Sequence, residues 1–174
     1  MEWRDLIIDG YGRVLDYLKE SLSGLTPADL DWQPKPDCNS MGWLAWHISR
    51  IQDYEIAGLM GEEQVWITGG WHKKFKRPAD PDDIGFGQTD EEVTAFRSPD
   101  IETLLAYYEA VMKRTVKYLK SLTAKGLARE LAEAYQPKPT VAVRIVSVLA
   151  DNLQHAGEIA YVHGLRKGKG WLGY

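Results

Sequence analysis

Ile145-Val146-Ser147-Val148-Leu149-Ala150-Asp151-Asn152-Leu153-Gln154-His155-Ala156-Gly157-Glu158-Ile159 is the stretch that decides the fold. Ile145, Val148, Asp151, His155, Ile159 and Val162 recur at the three-to-four spacing of one helix face. The pattern predicts a long helix introduced by Pro137–Thr140 and running to about Leu165. Three more stretches carry the same period. The first spans Trp3 to about Ser23, with Ile7, Tyr11, Val14, Leu15, Leu18 and Leu22 on its stripe and Gly24 placed to stop it. The second opens at Asn39-Ser40, carries Leu44, Ile48, Ile51 and Leu59, and ends at Gly61. The third starts at the cap-and-proline signal Ser98-Pro99-Asp100-Ile101-Glu102 and reaches Leu122, with Leu104, Leu105, Tyr108, Val111, Met112 and Leu119 inward. Thr26-Pro27-Ala28-Asp29-Leu30 reads as a capped turn, and Leu127 to Ala134 as a short helix. No stretch alternates as a strand does.

These elements predict an all-α four-helix bundle in one domain, residues 1–174. Between the second and third long helices lie Gly61 to Arg97, 37 residues without a sustained period. A connection this long crosses the length of a helix, roughly 30 Å, so the two helices it joins run parallel and the order is up-down-down-up.

Composition narrows the function. The chain has 174 residues, 44% hydrophobic and 26% charged, enough for a full core. Its 21 basic and 25 acidic side chains leave a net charge of −4, which argues against nucleic acid and anionic membrane as partners. No apolar run approaches the roughly 20 residues of a spanning helix, and Met1-Glu2-Trp3-Arg4-Asp5 lacks the layout of a signal peptide, so a cytoplasmic protein is expected. The single cysteine, Cys38, excludes an intrachain disulfide and any multi-cysteine metal site, and reads as a passive thiol. Seven tryptophans and nine tyrosines against three phenylalanines suit surfaces that are half apolar and half wet, hence a pocket or an interface.

Asp151 and His155 stand four apart on an apolar stripe, and His47 holds an equivalent place in Gly42-Trp43-Leu44-Ala45-Trp46-His47-Ile48. Burying a carboxylate and two imidazoles is costly unless they are paired or bind a cation, and a divalent metal satisfies all three. Three protein ligands leave positions open, as in catalytic rather than structural sites. The residues alone leave a second reading standing, in which Asp151 and His155 form a hydrogen-bonded pair and His47 is a core histidine.

The chain resembles the DinB-like superfamily of four-helix bundles, which includes the bacillithiol transferases and the metal-binding domain of mycothiol-dependent maleylpyruvate isomerase. The resemblance covers nearly the whole chain. It rests on Leu25-Thr26-Pro27-Ala28-Asp29-Leu30, Ser40-Met41-Gly42-Trp43-Leu44-Ala45-Trp46-His47-Ile48, Thr140-Val141 and Gln154-His155-Ala156-Gly157-Glu158-Ile159. It implies that His47, Asp151 and His155 hold a divalent ion: zinc, nickel or iron. The family's commonest pair on the last helix is His and His; a carboxylate at Asp151 resembles the mycothiol-dependent branch, where it is a glutamate. Glu63-Gln64-Val65-Trp66, Gly70-Trp71-His72 and Gly85-Phe86-Gly87-Gln88-Thr89 resemble a bacterial subgroup.

Two functions follow. One is a metal-dependent enzyme, a thiol S-transferase or thiol-dependent isomerase with a low-molecular-weight thiol as co-substrate, or by its chemistry a hydrolase, with Glu158 as proton acceptor or partner of His155. The other is a non-enzymatic metal or small-ligand binding module. A small molecule is the partner expected, and the helices offer contacts for a homodimer. Trp66, Trp71, Phe75 and Phe86 either wall the metal pocket or fasten the crossover, and Trp171 with Tyr174 closes another wall. His72 and His163 read as surface or supporting residues. Arg166, Lys167 and Lys169 read as a solvated terminus, or as partners for the carboxylate of a thiol. Asp80, Asp82, Gly85 and Glu91 mimic a calcium loop, but Ile84 stands where an oxygen ligand is needed.

Overall fold

The computed structural model describes residues 2–168 and 170–171. Among them are the helices α1 (Trp3–Leu22), α2 (Pro27–Leu30), α3 (Met41–Met60), α4 (Val65–Thr68), α5 (Trp71–Lys74), α6 (Asp90–Ala95), α7 (Ile101–Ser121), α8 (Ala124–Leu127) and α9 (Val141–Lys167), and no strand. Short polar side chains start α3, α7, α9 and the α2 turn by taking an otherwise unpaired amide. Thr26 accepts from Asp29, Ser40 from Trp43, Asp100 from Thr103 and Thr140 from Val143. Gly61 ends α3 in the left-handed region at φ +66°, which costs glycine little.

Two boundaries differ from the sequence reading. The cap of α7 is Asp100, not Ser98, whose amide is taken by Asp31 at 2.9 Å. The short helix lies at Ala124–Leu127, capped by Thr123, while the residues after it bond back to the chain ahead of α9. Leu131 donates to the Pro139 carbonyl and Val141 to the Arg129 carbonyl, a pairing incompatible with a helix there.

The four long helices make the bundle, with α7 and α9 each packed against both α1 and α3. Bonded partners give the directions. From α1 to α9, Tyr11 pairs with Ile145 and Ser21 with His163, so numbers rise together. From α3 to α9 they run oppositely, Gln52 with Asn152 and Glu55 with Arg144. Across the crossover, Arg50 bonds Tyr107 and Gln52 bonds Thr115, so α3 and α7 run the same way. Among the described residues no helix is long and apolar enough to cross a membrane.

The crossover is fastened to the bundle by its rings. Trp66, Trp71 and Phe75 are buried among Trp46 and Tyr107. At about 25 cal/mol per Å² and roughly 150–250 Å² per ring, each contributes up to about 4–6 kcal/mol. Those three rings therefore belong to the core rather than to a pocket wall. Phe86 points away, 90% exposed.

Candidate metal centre

Helix α3 is covered nearly all round, by α7, α9 and the crossover, so the polar side chains it carries into the interior must find partners there. His47 lies on the side turned to α9, with its side chain 10% exposed. Asp151 and His155 stack one turn apart on α9 and sit at the edge of the bundle, 35% and 20% exposed. The fully buried position on that turn of α9 is Asn152. The site thus faces α3 while remaining open to solvent.

One ligand atom from each of His47, Asp151 and His155 lies within 4.8 Å of the other two. His47 Nε2 is 3.9 Å from Asp151 Oδ2, and His155 Nε2 is 3.6 Å from Asp151 Oδ1. Both separations exceed hydrogen-bond length. The alternative reading, a direct Asp151–His155 hydrogen bond, is therefore not what the geometry shows. Asp151 Oδ2 is buried without any hydrogen-bond partner. An orphaned carboxylate oxygen costs its full desolvation. A cation between these atoms removes that cost, and two imidazole nitrogens with one carboxylate fit a divalent transition metal.

Both histidines are held in one tautomer. His47 Nδ1 lies 2.6 Å from the Ile84 carbonyl, which only accepts, so Nδ1 carries the proton and Nε2 presents a lone pair to the site. His155 Nδ1 lies 2.7 Å from Glu158 Oε2, with the same consequence. Trp43 stacks on the His47 ring at 4.9 Å and 11°. Burial pushes the His47 imidazole below its ordinary range and His155 adds to the shift, against the opposing pull of Ile84, Asp151 and Glu158. A neutral ring is the form that ligates.

Beside the triad, a cavity of about 780 Å³ opens between α9 and the segment that precedes α3. Leu44, Tyr161, Val162 and Leu165 give it an apolar wall; Lys35, Gln154 and Glu158 give it polar groups. Cys38 is on its rim, free and partly exposed. None of the crossover aromatics lines it. A second cavity, about 640 Å³, lies elsewhere, lined by Glu55, Glu62 and Glu133.

Several side chains stand apart from their sequence reading. Arg166 and Lys167 are not free for a ligand carboxylate: both pair with buried Asp29, at 2.9 and 2.7 Å. His163 is a buried histidine bonded to the Ser21 carbonyl, and Trp171 stacks on it at 4.2 Å, away from the triad. His72 contacts the Trp66 carbonyl. Tyr174 and Lys169 lie outside the described residues.

Sequence reasoning missed Arg50, Asp53 and the Ile84 carbonyl. Arg50 and Asp53 follow His47 by three and six residues, and two charges so close to an apolar run were the available signal. A backbone carbonyl leaves none.

A family model described as the DinB superfamily matches residues 11–159. A solved structure titled as that of the conserved protein of locus from Enterococcus faecalis is 27% identical, with a TM-score of 0.90 over 97% of this chain and 99% of that chain. No curated protein matches.

Proposed function

The chain belongs to the DinB superfamily, and on that footing we propose that it is a divalent-metal-dependent enzyme whose ion is held by His47, Asp151 and His155. The observation that carries this reading is the orphaned Asp151 Oδ2 facing His47 Nε2 across 3.9 Å. Zinc, nickel and iron(II) all suit the donor set. When bound, such an ion acidifies a thiol or water that reaches its open positions, making an anionic nucleophile available at neutral pH.

The chain's own groups do the rest. His47 and His155 keep Nε2 free because their Nδ1 protons are engaged. Glu158 orients His155 through one oxygen, and as a residue lining the cavity it is the proton acceptor for a substrate seated there. The cavity has room for a small organic molecule of mixed polarity. Transfer of a low-molecular-weight thiol, or isomerisation assisted by one, is the reaction class we assign, in line with the resemblance of the motifs around His47 and His155.

A second reading has its own observation. The large cavity is lined by Glu158 but by none of the three proposed ligands, which suits a module that binds a metal and a small ligand without reaction.

Metal analysis of protein purified without chelator, beside His47→Ala and His155→Ala, tests the site. Bound metal in the parent and its loss in both variants is expected; equal content in all three overturns the assignment. Metal-loaded protein with glutathione, bacillithiol or mycothiol and a generic electrophile then separates the readings. Absence of metal-dependent turnover with any of them favours the binding module.

A further inference from the structure

Three residues of α3, spaced i, i+4 and i+7 on one face, all hold the same short piece of the crossover. Trp43 Nε1 donates to Gln88 Oε1 at 2.9 Å. His47 Nδ1 donates to the Ile84 carbonyl at 2.6 Å. Arg50, fully buried, donates from Nε to the Asp83 carbonyl and from Nη2 to the Pro81 carbonyl, both at 2.9 Å. The piece is braced from its other side as well. Gln64 donates to the Pro81 carbonyl at 3.0 Å, and the Asp83 carboxylate is taken by Gln88 at 3.0 Å and Arg77 at 2.8 Å.

Gly85 brings this piece close against the helix. Its φ is +90°, and a β-carbon there would stand 2.7 Å from the Trp43 ring and 3.1 Å from His47 Nδ1 and from the Trp46 ring. Only glycine allows this approach, because both the backbone region and the space exclude a side chain. Gly87, two residues on, has a comparable φ of +76°, but a β-carbon there would meet nothing within 4 Å.

We infer that residues 81–88 are a positioning device for His47, dictating which ring nitrogen carries the proton and aiming Nε2 at Asp151, so that the crossover sets metal affinity without supplying a ligand. This rests on the reading of His47 as a ligand. Groups that bond the far nitrogen of a ligating histidine fix its tautomer and orientation, and losing them typically costs about 10–100-fold in metal affinity. Here the partner is a backbone carbonyl held in place by Arg50, Gln88 and the absence of a side chain at 85. Coupling of this kind is reciprocal, so a bound ion also steadies the segment.

The test compares Gly85→Ala with Gly87→Ala, which introduces similar backbone strain without touching His47, and with Gln88→Ala, which loosens the segment without strain. The first readout is the pair of ring ¹⁵N shifts of His47 in metal-free protein. The parent and Gly87→Ala should show the Nδ1–H tautomer alone; Gly85→Ala should show both. The second is zinc affinity by chelator competition, expected to fall about 10–100-fold in Gly85→Ala, less in Gln88→Ala, and not in Gly87→Ala. The third is hydrogen exchange of residues 81–88, slowed by zinc in the parent. A single Nδ1–H tautomer with parental zinc affinity in both Gly85→Ala and Gln88→Ala overturns the inference. If Gly85→Ala does not fold, Gln88→Ala alone decides it. Failure of the parent to bind zinc, nickel or iron(II) would instead overturn the ligand reading, while the ring shifts still judge the positioning of His47.

Discussion

Glu158 Oε2 sits 2.7 Å from His155 Nδ1, one turn further along the same helix. On the facing helix, His47 Nδ1 lies 2.6 Å from the Ile84 carbonyl of the crossover. The two imidazoles come from different elements and are engaged by different chemistry, a carboxylate and a peptide carbonyl, yet both are left with Nε2 toward Asp151. Agreement between independent supports is what a prepared ligand set requires, because a ring free to turn loses affinity to its own disorder.

Glu158→Ala should therefore weaken zinc binding by about 10–100-fold, with Glu158→Gln, which keeps an acceptor oxygen but not the charge, falling between. Competition with a chromogenic chelator measures it. An alanine variant within about threefold of the parent would remove Glu158 from the support of the site.

Asp53 should be a stability residue. Its carboxylate accepts from the Val65 and Trp66 amides at 2.9 and 2.7 Å and from the Tyr107 hydroxyl at 2.9 Å, and it lies 3.8 Å from the fully buried Arg50 guanidinium. Removing one member of a buried ion pair leaves the other uncompensated, so Asp53→Ala should cost about 3–5 kcal/mol in urea unfolding. A loss under about 1 kcal/mol would mean that the start of the crossover is anchored by its aromatic rings alone.

The caps and the triad were legible because their signals are local. Thr26, Ser40 and Thr140 each precede an apolar period, and Asp151 and His155 interrupt one. What escaped depends on which faces are covered. Helix α3 is wrapped on the side that its apolar stripe leaves polar, so Arg50 and Asp53 are interior groups although their spacing reads as a solvated face. The crossover supplies that cover, and its lack of period conceals the fact that Trp66, Trp71 and Phe75 are core residues. Asp151 and His155 lie nearer the surface than their stripe suggests, because Asn152 takes the buried place on their turn. The Ile84 carbonyl has no sequence signature, because every residue carries one.

Asp29 joins the turn before α3 to the end of α9, and it should make stability pH-dependent in one direction. The Lys167 ammonium, the Thr26 amide and hydroxyl, and the Arg166 guanidinium hold its carboxyl well below the usual range. A carboxyl lowered on folding stabilises the native state above its unfolded pKa, about 4, and that contribution is lost as pH falls through the lowered value. Asp29→Asn should be less stable than the parent by a constant amount from about pH 5 to about pH 8, with the gap closing below about pH 4. Urea denaturation at a series of pH values measures this, and a gap that widens toward acid contradicts it.

Gly157 offers a way to separate reaction from simple binding. It lies on the exposed side of α9, lines the 780 Å³ cavity, and a β-carbon there meets nothing within 4 Å. Glycine inside a helix costs about 0.5–1 kcal/mol relative to alanine, so Gly157→Ala should raise stability by about that amount and leave metal affinity alone. Gly157→Phe adds a ring on the cavity wall while leaving His47, Asp151 and His155 in place. Its metal content should equal that of the parent, while metal-dependent thiol turnover should fall by about tenfold or more, as expected when a bound substrate is displaced from its reacting position. Parental turnover in the phenylalanine variant would show that the substrate reaches the triad by another path, and loss of metal would show that the cavity and the ligand set are not separable.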